Sequence, residues 1–163
     1  MMEANELIGR YNAGKRDFEN ANLGGANLSG TDLHGANLEG ANLTRADLSG
    51  TNLSGTNLQG ASLVGANMAG AKLERANLSG AKLEGAKLKG TNLSGADLSY
   101  AELRWAELFE ANLSHAQLRE AYLRAANLSH ANLEGANVAP GQLSCEVTLE
   151  LEGATMPDGT KHE

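Results

Sequence analysis

A five-residue repeat constrains this chain more than any other feature of its sequence. Residues 21–140 divide into 24 blocks of five without a single insertion. The third position is Leu in 22 blocks, the first is Ala in 20, and the second is Asn in 13. An unbroken internal repeat of this kind outweighs local helix or strand propensity. The repeat therefore determines which fold we predict.

A period of five fits neither an α-helix, where apolar residues recur about every 3.6 positions, nor a strand, where they alternate. Burial of every leucine requires a chain that turns once per block, so that each Leu returns to the same interior. Gly fills 13 of the 15 fifth positions between residues 25 and 95, and Gly adopts the positive φ of a type II turn without steric cost. The pattern predicts a stacked solenoid with a corner at each fifth position.

The blocks Ala-Asn-Leu-Ser-Gly, Ala-Asp-Leu-Ser-Gly and Thr-Asn-Leu-Ser-Gly resemble the pentapeptide-repeat proteins, whose signature is Ala-(Asp/Asn)-Leu-x-x. This resemblance implies an all-β fold, a right-handed quadrilateral β-helix (solenoid) with four blocks per coil and about six coils. Thr31, Thr51 and Thr91 lie at multiples of 20 from one another, which weakly supports a 20-residue coil. The flanks 11–18 and 156–160 resemble cyanobacterial members, one of which influences heterocyst differentiation through a protein partner.

The open ends of a solenoid need cover, because each would otherwise expose a sheet edge and the core. For residues 1–20 we predict an N-terminal cap, with a short helix over 3–13 followed by an irregular first block. Leu7, Ile8 and Tyr11 would share one face of this helix, and Phe18 would take the Leu position of the irregular block.

At the other end, residues 141–163 are predicted to form a closing segment and a tail. The alternation of polar and apolar residues over 146–151 is typical of a strand. This strand would close the last coil or pair with a second molecule. Residues 153–163 are expected to form a turn-rich tail.

Composition and charge argue against several functions. The chain has 20 acidic and 13 basic residues, for a net charge of −7, whereas nucleic-acid-binding domains are usually basic. Its one cysteine, Cys145, cannot form an internal disulfide. The N-terminal residues indicate neither a signal peptide nor a transmembrane span, so we expect a cytoplasmic protein without membrane contact. The histidines are scattered and no phosphate-binding loop is present, so we expect no catalytic residue, cofactor or metal.

A candidate protein-binding surface lies where the repeat changes character. Only one of the nine fifth positions from 100 to 140 is Gly, and four of the six aromatic residues fall between 100 and 122. Tyr, Trp and Arg are the residues enriched at interface hot spots. The candidate surface comprises Tyr100, Arg104, Trp105, Phe109, Tyr122 and Arg124. The alternative is that corners without Gly adopt another turn and hold any side chain that fits.

We therefore predict a non-catalytic scaffold that binds an unidentified protein, as a monomer or as a weak homodimer through a coil end. Some members of the family mimic DNA and bind DNA gyrase, which is a second hypothesis. That role needs a strongly acidic side, whereas the four sides of this repeat carry +2, −1, −1 and −2. A third hypothesis is a structural rod that self-associates through its ends.

Overall fold

The backbone forms coils of 20 residues. The architecture comes from a computed structural model, which describes residues 2–143 and 149–163. From Asp17 to Asn137, second-position residues pair with the residue 20 positions further along in parallel bridges. In the described residues this pairing consists of isolated bridges, and no strand of ordinary length is present. A turn in every block leaves one residue per side that can pair with the next coil, so the all-β expectation holds only in this restricted form.

One side of the coil carries most of the candidate surface, and we call it side A. Side A is formed by the blocks that begin at residues 21, 41, 61, 81, 101 and 121. Its bridges run from Asn22 through Asn42, Ser62, Lys82 and Glu102 to Tyr122. The remaining blocks form the other three sides. On every side, a residue stacks directly on the residue 20 positions further along the sequence.

The corners from Asn20 to Gly135 are hydrogen-bonded turns. The N–H of Ala26 donates to the carbonyl of Leu23 at 3.0 Å, and the same bond recurs from block to block. Gly25, the third of the four turn residues, has φ of 68°. The i to i+3 bond and the positive φ at the third residue are features of a type II turn, as predicted.

Corners without Gly keep this conformation. Seven consecutive corner residues, from Tyr100 to His130, have φ between 57° and 60°. From Tyr100 to His130 the corners therefore do not adopt another turn, and the second half of that alternative, that they hold any side chain that fits, stays a prediction. Left-handed backbone costs an L-residue about 1–2 kcal/mol, so this run of corners retains backbone strain that Gly would remove.

The core is a column of leucines flanked by small residues. Every third-position Leu from Leu23 to Leu133 is at most 1% exposed, and the first-position alanines between them are buried except Ala26, which is partly buried. Where Thr replaces Ala, the buried hydroxyl has a partner. Thr51 Oγ1 donates to the carbonyl of Leu28 at 2.8 Å, and Thr91 Oγ1 donates to that of Met68 at 3.1 Å. The substitution therefore leaves no buried hydroxyl unsatisfied at these positions.

Helix α1 spans Ala4–Asn12 and packs against the N-terminal end of the core. Leu7 and Tyr11 are buried, whereas Ile8 is only partly covered. The Tyr11 hydroxyl donates to the carbonyl of His34 at 3.0 Å, and the Arg16 guanidinium lies 3.8 Å from the centre of the Tyr11 ring. Burial raises the pKa of Tyr11, so its hydroxyl remains a donor at neutral pH.

The repeat pattern resumes after residue 148, three positions out of register. Glu150 bridges to Asn127 and Thr155 bridges to Asn132, each 23 residues apart instead of 20. Thr155 also pairs with Lys161 in an antiparallel bridge. Residues 153–163 are therefore more ordered than the predicted tail. Most of the strand predicted over 146–151 lies outside the described residues, as does Cys145.

Candidate protein-interaction surface

Three large apolar side chains are more than half exposed among the described residues. They are Tyr100, Trp105 and Tyr122, at 60%, 61% and 56%. Tyr100 is the corner residue directly before block 101–105 of side A, and Trp105 is the corner residue that ends this block. Tyr122 lies one coil further along the same side, where it bridges to Glu102. The exposed aromatic residues are therefore concentrated at one end of side A.

The residue at the next corner explains why the corner aromatics remain exposed. Where a corner residue with a side chain has Gly 20 or 23 positions further along, its side chain lies over that Gly. The His115 ring lies over Gly135, the His130 ring lies over Gly153, and Arg45 Cγ is 3.6 Å from the position of a β-carbon at Gly65. Above Tyr100 and Trp105 the next corners are Glu120 and Ala125. A β-carbon at these corners occupies the space into which the lower side chain would fold.

The two stacked arginines of side A have different environments. Arg104 Nη2 contacts Glu84 Oε1 at 3.3 Å and Glu102 Oε2 at 3.0 Å. Burial acts to raise the pKa of Glu84, but hydrogen bonding with Glu102 and Arg104 and the positive charge of Arg104 lower it more. Arg124 is exposed and has no ion pair within the described residues. Arg104 is thus compensated within the coil, whereas the charge of Arg124 is available to a partner.

The Arg104 cluster retains two unsatisfied atoms. Arg104 Nε and Glu84 Oε2 are buried and have no hydrogen-bond partner. Removal of the Arg104 side chain would leave the partly buried Glu84 carboxylate without its cation. A variant at Arg104 therefore lowers the stability of the coil as well as changing its surface.

Phe109 lies apart from the other five candidate residues. It belongs to the block that follows Trp105 on the next side of the coil, and it is half-buried. Its ring meets the His130 ring edge-on, with centroids 5.3 Å apart, and Lys89 Nζ is 5.2 Å from its centroid. The structure thus brings five of the six candidate residues to side A and its corners: Tyr100, Arg104, Trp105, Tyr122 and Arg124. Phe109 lies on the adjacent side of the coil.

Sequence reasoning missed Arg119 beside this surface. Arg119 is exposed, and its carbonyl accepts the N–H of Tyr100 at 3.1 Å. The 20-residue spacing contained the signal, because Arg119 stacks on Ser99, the neighbour of Tyr100. Arg119 and Arg124 lie on either side of Tyr122 in the sequence, and neither has an ion pair within the described part of the chain.

Residues 2–143 and 149–163 offer little for other kinds of site. No group of three His, Cys, Asp or Glu side chains in these ranges could hold a metal ion. The same residues include no helix that is long and apolar enough to cross a membrane. Among the histidines of the repeat, His34 contacts Asp32 and Tyr11, whereas His115 and His130 lie over glycines.

Comparison with protein families gives one match. The model for pentapeptide repeats matches eight copies in this chain. The matched residues are 17–50, 41–80, 51–90, 76–114 and 101–138. A search of curated proteins found no match.

Several solved structures are similar. HetL, a pentapeptide repeat protein involved in heterocyst differentiation regulation from the cyanobacterium Nostoc sp. strain PCC 7120, is 30% identical, with 99% of this chain and 100% of HetL covered and a TM-score of 0.34. The Nostoc protein alr5209 is 38% identical over 68% of this chain and 80% of its own, with a TM-score of 0.33. A trypsin-treated form of the plasmid-mediated fluoroquinolone resistance protein QnrB1 is 20% identical over 78% of this chain and 82% of its own, with a TM-score of 0.50.

Proposed function

This chain belongs to the pentapeptide-repeat family, and we propose that it is a non-catalytic scaffold that binds another protein through the last coils of side A. Family membership implies the right-handed quadrilateral β-helix. The observation that carries the proposal is the exposure of Tyr100, Trp105 and Tyr122 on and beside one side of the coil. Large exposed apolar side chains that lie together mark interaction sites in soluble proteins.

The backbone at these corners supports the proposal independently. Tyr100 and Trp105 have φ of 60° and 58°, a conformation that Gly would adopt without strain and that Gly occupies at most earlier corners. Strained backbone positions persist where the surrounding structure holds them in place, and they cluster at functional sites. An aromatic ring held at such a corner contributes little to the core, since more than half of it is exposed. Contact with a partner protein is a better explanation of why an aromatic residue occupies such a corner.

The proposal also assigns the segments of the chain, its location in the cell and the extent of the binding surface. Residues 1–20 would form the N-terminal cap, 21–140 the β-helix of about six coils, and 141–163 the closing segment. The burial of Leu7 and Tyr11 supports a capping role for α1.

We place the protein in the cytoplasm, without a cofactor. We also include Phe109 in the binding surface, at its edge.

The two alternative functions have less support. A DNA-mimic role would need a strongly acidic side. If the protein had this role, it would strongly inhibit DNA gyrase in a supercoiling assay.

A self-associating rod would need open coil ends. The antiparallel pairing of Thr155 with Lys161 covers part of the C-terminal edge, and antiparallel cover of this kind hinders the addition of another coil. A monomer, or a weak homodimer through a coil end, fits the proposed scaffold.

Affinity capture with a matched control tests the proposed function. The test variant carries Tyr100→Gly and Trp105→Gly, which remove both rings and relax both corners. The control carries Arg45→Gly and Arg75→Gly, which relax two corners elsewhere. A partner held by the wild type and the control, and lost by the test variant, is the expected result in lysate from the source organism. An identical set of captured proteins with all three baits would contradict the proposal.

A further inference from the structure

We infer that the surface around Trp105 binds an acidic segment of its partner protein, an inference that rests on the proposed function. The distribution of charge on the coil carries it. Side A has four basic residues and two acidic ones, a net charge of +2. Its charged residues are Arg45, Lys82, Glu84, Glu102, Arg104 and Arg124.

The other sides of the repeat are acidic. Two sides have three acidic and two basic residues each, and the third has three acidic and one basic, so their net charges are −1, −1 and −2. With a net charge of −7 for the whole chain, an acidic partner is repelled by most of the surface. Charge patterns of this kind determine orientation and exclude wrong approaches more than they add affinity. An acidic segment therefore approaches favourably only at side A.

Two of the arginines without an ion pair in the described residues lie near the exposed aromatic residues, Arg124 on side A and Arg119 on the adjacent side. Arg119 and Arg124 are exposed and lack ion pairs within the described residues, whereas Arg104 is compensated by Glu84 and Glu102. A guanidinium can bind a carboxylate through two parallel hydrogen bonds. Tyr100, Trp105 and Tyr122 lie around these groups and offer apolar area. The surface thus fits a segment in which carboxylates alternate with apolar side chains.

A single-stranded nucleic acid is the other polymer that combines negative charge with flat apolar groups. Its binding sites need a continuous basic groove that follows the phosphate backbone. Here the unpaired arginines are accompanied by Glu120 beside Tyr100 and by Glu107 and Glu110 after Trp105. These carboxylates interrupt any basic track, whereas a short acidic peptide needs only Arg119 and Arg124, which lie in consecutive blocks.

Fluorescence of Trp105 provides a direct test, because Trp105 is the only tryptophan in the chain. The full-length protein is titrated with a short synthetic peptide of repeated Glu-Glu-Phe and with a matched peptide of repeated Lys-Lys-Phe. We expect the acidic peptide to change the emission saturably and to bind about tenfold more tightly than the basic one. Added salt should weaken this binding.

Two arginine variants locate the charge that matters. Arg124→Glu should weaken binding of the acidic peptide by about tenfold. Arg45→Glu, on the same side but distant along the coils, should leave it within about twofold. Three results would overturn the inference that the partner segment is acidic: equal binding of both peptides, tighter binding of the basic peptide, or no change in Trp105 emission with either peptide. Tighter binding of a single-stranded thymidine oligonucleotide would overturn it in favour of nucleic acid.

Failure of this inference is distinguishable from failure of the proposed function. If both peptides bind equally and the Tyr100→Gly, Trp105→Gly variant loses a captured cellular partner, the surface binds a protein of another charge class. If the capture experiment also shows no difference between wild type and the Tyr100→Gly, Trp105→Gly variant, both the proposed function and the inference are wrong.

Discussion

The ring of His115 lies in the space that a β-carbon at Gly135, one coil further along, would occupy. Gly135 also has φ of 66°. Gly135→Ala therefore combines backbone strain with a side-chain clash. Gly55, at the corresponding corner of earlier coils, has φ of 64° and no atom near the position of a β-carbon. Urea unfolding should show a loss of about 1 kcal/mol for Gly55→Ala and a larger loss for Gly135→Ala.

A double-mutant cycle separates the two effects at this corner. In a His115→Ala background, the excess destabilisation by Gly135→Ala should disappear, because the ring no longer occupies the space. Equal losses for Gly55→Ala and Gly135→Ala in the wild-type background would show that the His115 ring moves aside freely.

The same stacking rule predicts a change at Trp105. Ala125→Gly removes the β-carbon from the corner above Trp105 and allows the indole to fold over it, as His115 folds over Gly135. The emission of Trp105 should shift to shorter wavelength, and quenching by iodide should decrease. Gly85→Ala, at the corner one coil before Trp105, serves as a control and should leave the emission unchanged. Unchanged emission for Ala125→Gly would show that another contact holds the ring in solvent.

At the other end of the chain, the Tyr11 hydroxyl attaches helix α1 to the first coils. It donates to the carbonyl of His34 at 3.0 Å and lies 3.1 Å from His34 Nδ1. Tyr11→Phe should destabilise the protein by about 1 kcal/mol and speed hydrogen exchange in α1. Tyr122→Phe, at an exposed ring, should change neither quantity. An unchanged exchange rate in Tyr11→Phe would show that packing of Leu7 alone holds the helix.

Stability at acid pH depends on Asp47. Hydrogen bonds from the side chain and backbone of Ser49, at 2.7 and 3.0 Å, hold the pKa of Asp47 below its usual value. A lowered folded-state pKa stabilises the protein above the unfolded pKa of about 3.9, and this contribution is lost as the pH falls through the folded pKa.

Asp47→Asn isolates this titration, because Asn at the second position of a block accepts the same bonds, as Asn52 does from Ser54. The urea midpoint of the variant should equal that of the wild type at neutral pH within error. On acidification through the Asp range it should fall less than that of the wild type. Parallel losses in both proteins would assign the acid sensitivity to other carboxylates.

The coil itself could be predicted from the sequence because one physical requirement, burial of every third-position Leu, leaves few solutions. The second-position bridges confirm the 20-residue spacing that Thr31 and Thr51 suggested. The conformation of Tyr100 could not be predicted from its residue type, which disfavours positive φ. It is imposed by hydrogen bonds on both sides of the corner, from Tyr100 N–H to the Arg119 carbonyl and from Ala101 N–H to the Leu98 carbonyl.

The C-terminal blocks escaped prediction for a different reason. Residues 149–153 and 154–158 repeat the corner bond, since Ala154 N–H donates to the Leu151 carbonyl at 2.9 Å. Their register differs by three residues from that of block 136–140, and the first position of the earlier block is Leu149 instead of Ala. A search for the repeat in every register would have found Leu-Glu-Gly followed by Ala-Thr-Met. The candidate surface was predictable as a composition change, but the ion pairs of Arg104 with Glu84 and Glu102 depend on side-chain conformations that the residue types do not specify.

The most direct test of the account is a paired measurement of stability and partner binding on the Tyr100→Gly, Trp105→Gly protein. If these corners retain strain because their rings bind a partner, each substitution should stabilise the protein by about 1 kcal/mol in urea unfolding, while the affinity for the captured partner falls at least about tenfold. Loss of stability, or full affinity without the two rings, would contradict the account.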